Sequence, residues 1–171
     1  DWCDAEGFTV NVYFDQATSV RRALDVIGLC GRGSVIQQGS WFSCIFDGPD
    51  TATQRFLFSV GNIGADSFQQ EFLPMDDRAN SIEVTYFDAA LGYERQAIEI
   101  QADDFDTTDR PVNQTAVTLT GVTDRALAIR HGKFALNKNR YLTITGAWSA
   151  DVDSVACQPG DVVDVQHDVP Q

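Results

Sequence analysis

Apolar and polar positions alternate in several short runs along this chain, and two longer stretches carry apolar residues at helical spacing. Residues 8–14 (Phe-Thr-Val-Asn-Val-Tyr-Phe) alternate over most of their length and predict a strand. Thr18 or Ser19 can then cap a helix with Val20, Ala23, Leu24 and Ile27 on one stripe, and Gly31 stops it. The apolar runs 34–36 and 41–46 flank Gln38-Gly39-Ser40, a turn signal that makes them a hairpin. Asp47-Gly48-Pro49-Asp50 ends this β-α-β-β unit.

Beyond it the pattern is β-rich. Strands are expected at 55–60 and at 67–73, the latter closed by Pro74. Residues 81–88 put Ile82, Val84 and Tyr86 on one face, and 93–101 follow a tight connection containing Gly92, which predicts an antiparallel hairpin. Residues 102–113, with Asp103, Asp104, Asp106, Asp109 and Pro111, read as an exposed loop, and 115–120 alternate again. Thr123 is the expected cap of a second helix through Ala126, Leu127, Ile129, Phe134 and Leu136 to about Lys138. Its bases Arg130, Lys133 and Lys138 lie toward the C-terminal end, where they suit the helix dipole. Residues 141–148 alternate with Leu142, Ile144 and Trp148 on one face, and the turn Pro159-Gly160-Asp161 leads into a last strand at 162–167. The expected fold is therefore α+β and mostly antiparallel with two helices. A β-α-β-β domain at 1–58 precedes a barrel-like β domain with one helix at 59–171.

Charge changes the functional picture more than the fold. The 171 residues hold 25 acids against 12 bases, net −13, and only two of the bases are Lys. Such a surface repels phosphate, which argues against nucleic-acid binding. No run approaches the ~20 apolar residues needed to cross a bilayer, and no basic-then-apolar leader opens the sequence. Both ends, Asp1-Trp2-Cys3 and Pro170-Gln171, read as cuts through a longer polypeptide. Cys3, Cys30, Cys44 and Cys157 form no C-x-x-C pair and show no zinc-like spacing. An even count permits bridges, but a chain this long folds without them, and the four are read as buried, reduced thiols.

Reactive constellations are missing. Gly28, Gly31 and Gly33 end a helix where a dinucleotide loop would have to start one. There is no phosphate-binding loop and no nucleophile elbow. His131 and His167 have no motif tying either to a nucleophile, and both read as surface or partly packed residues. The run Asp103-Asp104-Phe105-Asp106 lacks the Gly and the closing bidentate Glu of a calcium loop, so a solvated loop is the better reading. Asp151 and Asp153 are a weaker pair still, and Asn113-Gln114-Thr115 is a sequon of a kind that arises often by chance. No catalytic, cofactor-binding or metal-binding residue is assigned, and no cofactor is expected.

Three stretches resemble a known family. Residues 77–88 (Asp-Arg-Ala-Asn-Ser-Ile-Glu-Val-Thr-Tyr-Phe-Asp) with Tyr93-Glu94-Arg95 resemble a signature of phage tail-tip attachment proteins of the lambda J type. Gly121-Val122-Thr123-Asp124-Arg125-Ala126 resembles that family's next block, and residues 158–168 (Gln-Pro-Gly-Asp-Val-Val-Asp-Val-Gln-His-Asp) the block after it. The helix 20–30 with the hairpin after it is similar to baseplate hubs of long-tailed phages. The resemblance implies a non-enzymatic structural virion protein, assembled in the host cytoplasm: a hub, trimeric in the assembled tail though the isolated fragment can be monomeric, that closes the tail tube and joins the host-recognising fibre. Its partners would be other tail proteins, with the host receptor met by other parts of the chain, and no specific nucleic acid or membrane insertion. It also implies an acidic lining for the DNA path, with Arg21, Arg22, Arg130 and Lys133 turned elsewhere. A carbohydrate- or peptidoglycan-degrading tail enzyme and a direct receptor-binding module are the alternatives.

Overall fold

The computed structural model describes residues 2–48, 56–105 and 111–167. In chain order the elements are α1 (Trp2–Glu6), α2 (Val20–Cys30), β1 (Gly33–Gln38), β2 (Trp41–Phe46), β3 (Phe56–Ser59), β4 (Gln69–Phe72), β5 (Ser81–Asp88), β6 (Glu94–Gln101), β7 (Gln114–Thr118), α3 (Arg125–Tyr141), β8 (Ile144–Ala147) and β9 (Val163–Gln166). Three short 3-10 turns lie between them, at Met75–Asp77, Ala89–Leu91 and Val152–Ala156. The fold is α+β. Two compact units share the chain: unit 1 is Asp1–Asp47 with Met75–Tyr141, and unit 2 is Gly48–Pro74 with Leu142–Gln171. Each unit is thus built from two separated stretches, whereas the sequence reading divided the chain once, at 58/59, a point inside β3.

Unit 1 is organised around β5. This strand is central in a three-stranded sheet of order β6-β5-β7, antiparallel to β6 and parallel to β7. Ile82, Val84 and Tyr86 share its inner face as the alternation requires, and all three are buried. Helix α3 lies on this sheet at unusually close range because residue 132 is glycine. A Cβ there would sit 2.5 Å from both Val84 Cγ2 and Ile100 Cδ1. Its buried face is Leu127, Ala128, His131, Gly132 and Leu136, so Ala126 is not part of the core stripe. The cap is Asp124 and not Thr123: its carboxylate accepts the Leu127 N–H at 2.8 Å and its carbonyl the Ala128 N–H at 2.9 Å. The Thr123 carbonyl is turned to the Ala89 N–H instead. At the entrance to β5, Asn80 accepts the Asn113 N–H at 2.8 Å and donates to the Pro111 carbonyl at 3.0 Å.

The rest of unit 1 is α1, α2 and the hairpin. Ser19 caps α2 by accepting the Arg22 N–H, and Gly31 ends it. β1 and β2 pair antiparallel from Gly33↔Phe46 to Gln38↔Trp41, with Gly39 at φ +61 in the two-residue loop. The strand expected at 8–14 is absent. The Phe8 N–H bonds the Cys3 carbonyl at 2.9 Å and the Asn11 N–H the Gly121 carbonyl at 2.8 Å, and only Phe8 is buried. Alternation alone does not make a strand without a ladder of bonds to a partner. The helix α1 precedes it, a third helix where two were expected, because five residues are too few to show a period.

Unit 2 contains two separate ribbons. β3 pairs parallel with β9, β4 pairs antiparallel with β8, and Ile63 bridges Ala150. Two-stranded ribbons cannot close, so the barrel-like expectation is corrected: the described residues form no barrel. Its packing is aromatic. Phe56, Phe58, Trp148, Phe68 and His167 follow one another at centroid distances of 4.8, 5.1, 5.9 and 4.4 Å. Among its described residues only Phe58 and Ile63 are buried hydrophobics. The expected strand 141–148 shrinks to β8, all four residues of which are exposed, while Tyr141 still belongs to α3.

Candidate assembly surfaces

The most chemically suggestive place in unit 1 lies under α1. Phe8 packs 5.3 Å from the His131 ring, with the guanidinium groups of Arg32 and Arg130 each 5.1 Å from its centroid. Arg130 fixes α1 by donating to the Glu6 carbonyl at 2.8 Å and pairing with its carboxylate at 3.1 Å. His131 is thus a core residue, only 4% exposed, more deeply packed than the surface or partly packed residue expected. Burial, reinforced by the charges of Arg32 and Arg130, lowers its pKa to about 4, and it hydrogen-bonds the backbone of Cys30. Nε2 of His131 and Nε of Arg32 are buried without a protein partner. Burial also lowers the Arg32 pKa, with the Arg130 charge adding to it.

A neutral imidazole needs a nucleophile to become a catalytic base, and the nearest thiol does not supply one. Cys30 is buried, its pKa pushed up to about 11, and its Sγ donates to the carbonyls of Val26 and Thr120. No disulfide joins the four cysteines, and only Cys30 is buried as expected; Cys44 is exposed, and Cys3 and Cys157 are half-buried. Cys3, Cys30 and Cys44 line an apolar cavity of about 310 Å3 with Leu24, Ile27 and Phe46. Burial raises the Cys44 pKa, and proximity to Cys3 adds to the shift. In the sheet, Tyr86 donates to the Asp88 carboxylate at 2.8 Å, and burial followed by this bond raises its pKa.

Several of the remaining residues singled out in the sequence have structural partners. Asp104 pairs with Arg140 at 2.6 Å, Asp103 is exposed, and Asp106 and Asp109 lie outside the described residues. Asp151 accepts the Val152 N–H, Asp153 is exposed, and Asp161 holds its turn by accepting the Gln158 N–H. The Asn113 side chain donates to the Asp76 and Arg78 carbonyls, which occupies the sequon amide. His167 stacks on Phe68. No group of three or more His, Cys, Asp or Glu among the described residues is placed to hold a metal ion, and no described helix is long and apolar enough to cross a membrane.

What stands out instead is exposed apolar surface. The hairpin presents Trp41, Phe42 and Phe46, and α2 presents Val20, Ile27 and Leu29. Unit 2 presents Phe72, Leu142, Ile144, Val152 and Val155. A separate cavity of about 360 Å3 in unit 1 is lined by Asn11, Tyr13, Phe87 and Tyr93, with Asn11 donating to the Tyr93 hydroxyl at 3.2 Å. Tyr13 there is 87% exposed, and Tyr93 holds a left-handed φ of +63. The sequence reading missed these surfaces because it assigned every apolar run to a core. Exposure of large apolar groups on this scale marks interaction surfaces.

A family model described as "Putative phage tail protein" matches residues 19–171, all but the first eighteen. Among curated proteins none matches. The chain is similar in fold to one in the solved structure "Virion of native gene transfer agent (GTA) particle", with a TM-score of 0.65 and 18% identity over 96% of its length. It spans 39% of the length of that larger chain.

Proposed function

The chain belongs to this phage tail protein family, and from that premise we propose that it is a structural component of the tail tip. In this reading it belongs to the hub that closes the tail tube and links it to the host-recognising fibre. The family match across residues 19–171 carries the reading. The fold shared with a chain of a virion particle supports it, as do the many large apolar side chains left exposed. The hub works in the virion after assembly in the host cytoplasm, as a homotrimer among other tail proteins. It takes no cofactor, and other parts of the polypeptide meet the receptor. The lambda J likeness of residues 77–95, 121–126 and 158–168 is part of this proposal.

Electron microscopy of purified particles labelled with antibody to this chain is the test. Label at the tail tip alone is expected; label along the tube, or particles without the chain, contradicts the hub. Incubating the chain with peptidoglycan and surface polysaccharide is expected to release nothing. Turnover abolished by changing one carboxylate would replace the structural reading with the enzymatic one. The second reading is direct receptor contact, and the cavity of Asn11, Tyr13 and Tyr93 favours it, since aromatic rings beside an amide suit a sugar. Saturable binding of host polysaccharide, lost on Tyr13→Ala, would establish it.

A further inference from the structure

Between α2, β1, β7 and α3 of unit 1 lies a further cavity of about 190 Å3, whose lining includes Leu29, Arg32, Leu119, His131, Phe134 and Lys138. Two of these residues bring a buried nitrogen that no protein group satisfies, Nε of Arg32 and Nε2 of His131. A buried polar atom without a partner is destabilising, and folded chains hold few of them. Arg32 carries a second strain. Its φ is +54, in the left-handed region that residues with a side chain seldom enter. Its guanidinium is held over the Phe134 ring, 4.2 Å from the centroid.

The charges around the cavity leave Arg32 uncompensated. On α3, Lys138 pairs with Asp47 at 2.7 Å and Arg130 pairs with Glu6 of α1 at 3.1 Å. Among the described residues Arg32 pairs with no carboxylate, and its guanidinium donates to the Arg130 carbonyl at 3.4 Å. Glu6 and Asp47 act on it only through space. His131 is neutral at pH 7 with its ring bonded to the Cys30 backbone, so Nε2 offers a lone pair while Arg32 Nε offers a proton. Leu29, Leu119 and Phe134 make much of the remaining wall apolar. A carboxyl group has two oxygens for the two nitrogens. A phosphate would bury further oxygens against those apolar walls, which is costly.

We infer that this cavity binds a small carboxylic acid with an apolar body, one carboxyl oxygen accepting from Arg32 Nε and the other sharing a proton with His131 Nε2. The apolar body lies against Leu29, Leu119 and Phe134. At neutral pH the free acid is ionised and the imidazole is neutral, so the shared proton is taken up from water as the complex forms. The bound carboxylate completes both buried nitrogens and neutralises Arg32. The inference goes beyond the tail reading and does not depend on it.

Calorimetric titration of the whole chain with benzoate tests this, read alongside the imidazole nitrogen resonances of its two histidines. Saturable binding with a Kd of about a millimolar or tighter is expected at pH 6. Affinity is expected to fall about tenfold for each pH unit from 6 to 8, because one proton enters with the acid. Benzoate is expected to move the His131 Nε2 resonance toward that of a protonated ring and to leave His167 in place. Arg32→Gln is expected to bind at least about tenfold more weakly, and Lys138→Gln, which removes a charge already paired with Asp47, to change binding less. Circular dichroism shows whether Arg32→Gln is folded, and the resonances are read on wild type whatever the variant does. No saturation by benzoate up to about 10 mM at pH 6 overturns the proposal and leaves the two nitrogens to bound water. So does equal affinity at pH 6 and pH 8, binding that leaves His131 unmoved, or inorganic phosphate binding as tightly as benzoate.

Discussion

The two units of this chain solve the burial problem differently. Unit 1 layers a long helix on a three-stranded sheet, and all of the chain's main buried cluster, from Phe8 to Leu136, belongs to it. Its ion pairs are internal as well: Glu6, Asp47 and Asp104 each neutralise a base of α3. Unit 2 has two buried hydrophobics among its described residues, an aromatic series, two ribbons and a large acid surplus. The contrast teaches that folding and assembly are divided along the chain. Unit 1 is stabilised by a large core of its own, whereas unit 2 packs chiefly through its aromatic series.

The sharpest way to break that contrast is to cut each core. Leu136→Ala removes a buried side chain from the α3–sheet contact and is expected to cost about 2–5 kcal/mol in urea unfolding. Phe58→Ala is expected to leave the midpoint of the main unfolding transition unmoved, because unit 2 is not part of it. A common shift for both variants would mean that the units share one core.

Acid probes the same contrast through His131. Its pKa is about 4 in the folded chain, against about 6.5 unfolded. The unfolded chain therefore takes up the proton first. The stability is whole above pH 6.5 and falls progressively as pH drops toward 4, by roughly 3 kcal/mol in all. Carboxylates titrate in part of this window, so the comparison is with His131→Phe measured at each pH. The gap between wild type and variant is expected to change by about that amount; a constant gap contradicts the burial of a neutral His131. A smaller effect is expected from Asp124→Ala, about 1 kcal/mol, while Thr123→Ala should fall well below it and so identify the true cap of α3.

Local signals in the sequence recovered local structure. Ser19 and Gly31 bound α2, Gly39 makes the hairpin, and the alternation of Ile82, Val84 and Tyr86 is read correctly as a buried face. Strands at 56–59, 69–72, 114–118 and 163–166 also fall where alternation placed them, and what the sequence did not show is which distant partner each one finds. Residues 8–14 alternate but form no strand, and 141–148 alternate although α3 takes the first residue and only 144–147 form a strand, with Trp148 packed on Phe58 and Phe68. His131 has no sequence signal of burial, because what buries it is Phe8 and Arg32, about a hundred residues away or more. The interaction surfaces were illegible for the same reason. An apolar strand facing water has the same sequence as one facing a core, and only Trp41 and Ile144 in place show which it is.

Amide hydrogen exchange on the whole chain measures this division most directly. In the dilute monomer, protection is expected to be strongest in β5, β6 and α3, and at least about a hundredfold weaker in β4 and β8. Strands β4 and β8 already as protected as β5 in the monomer would contradict it, since unit 2 would then be packed as firmly as unit 1.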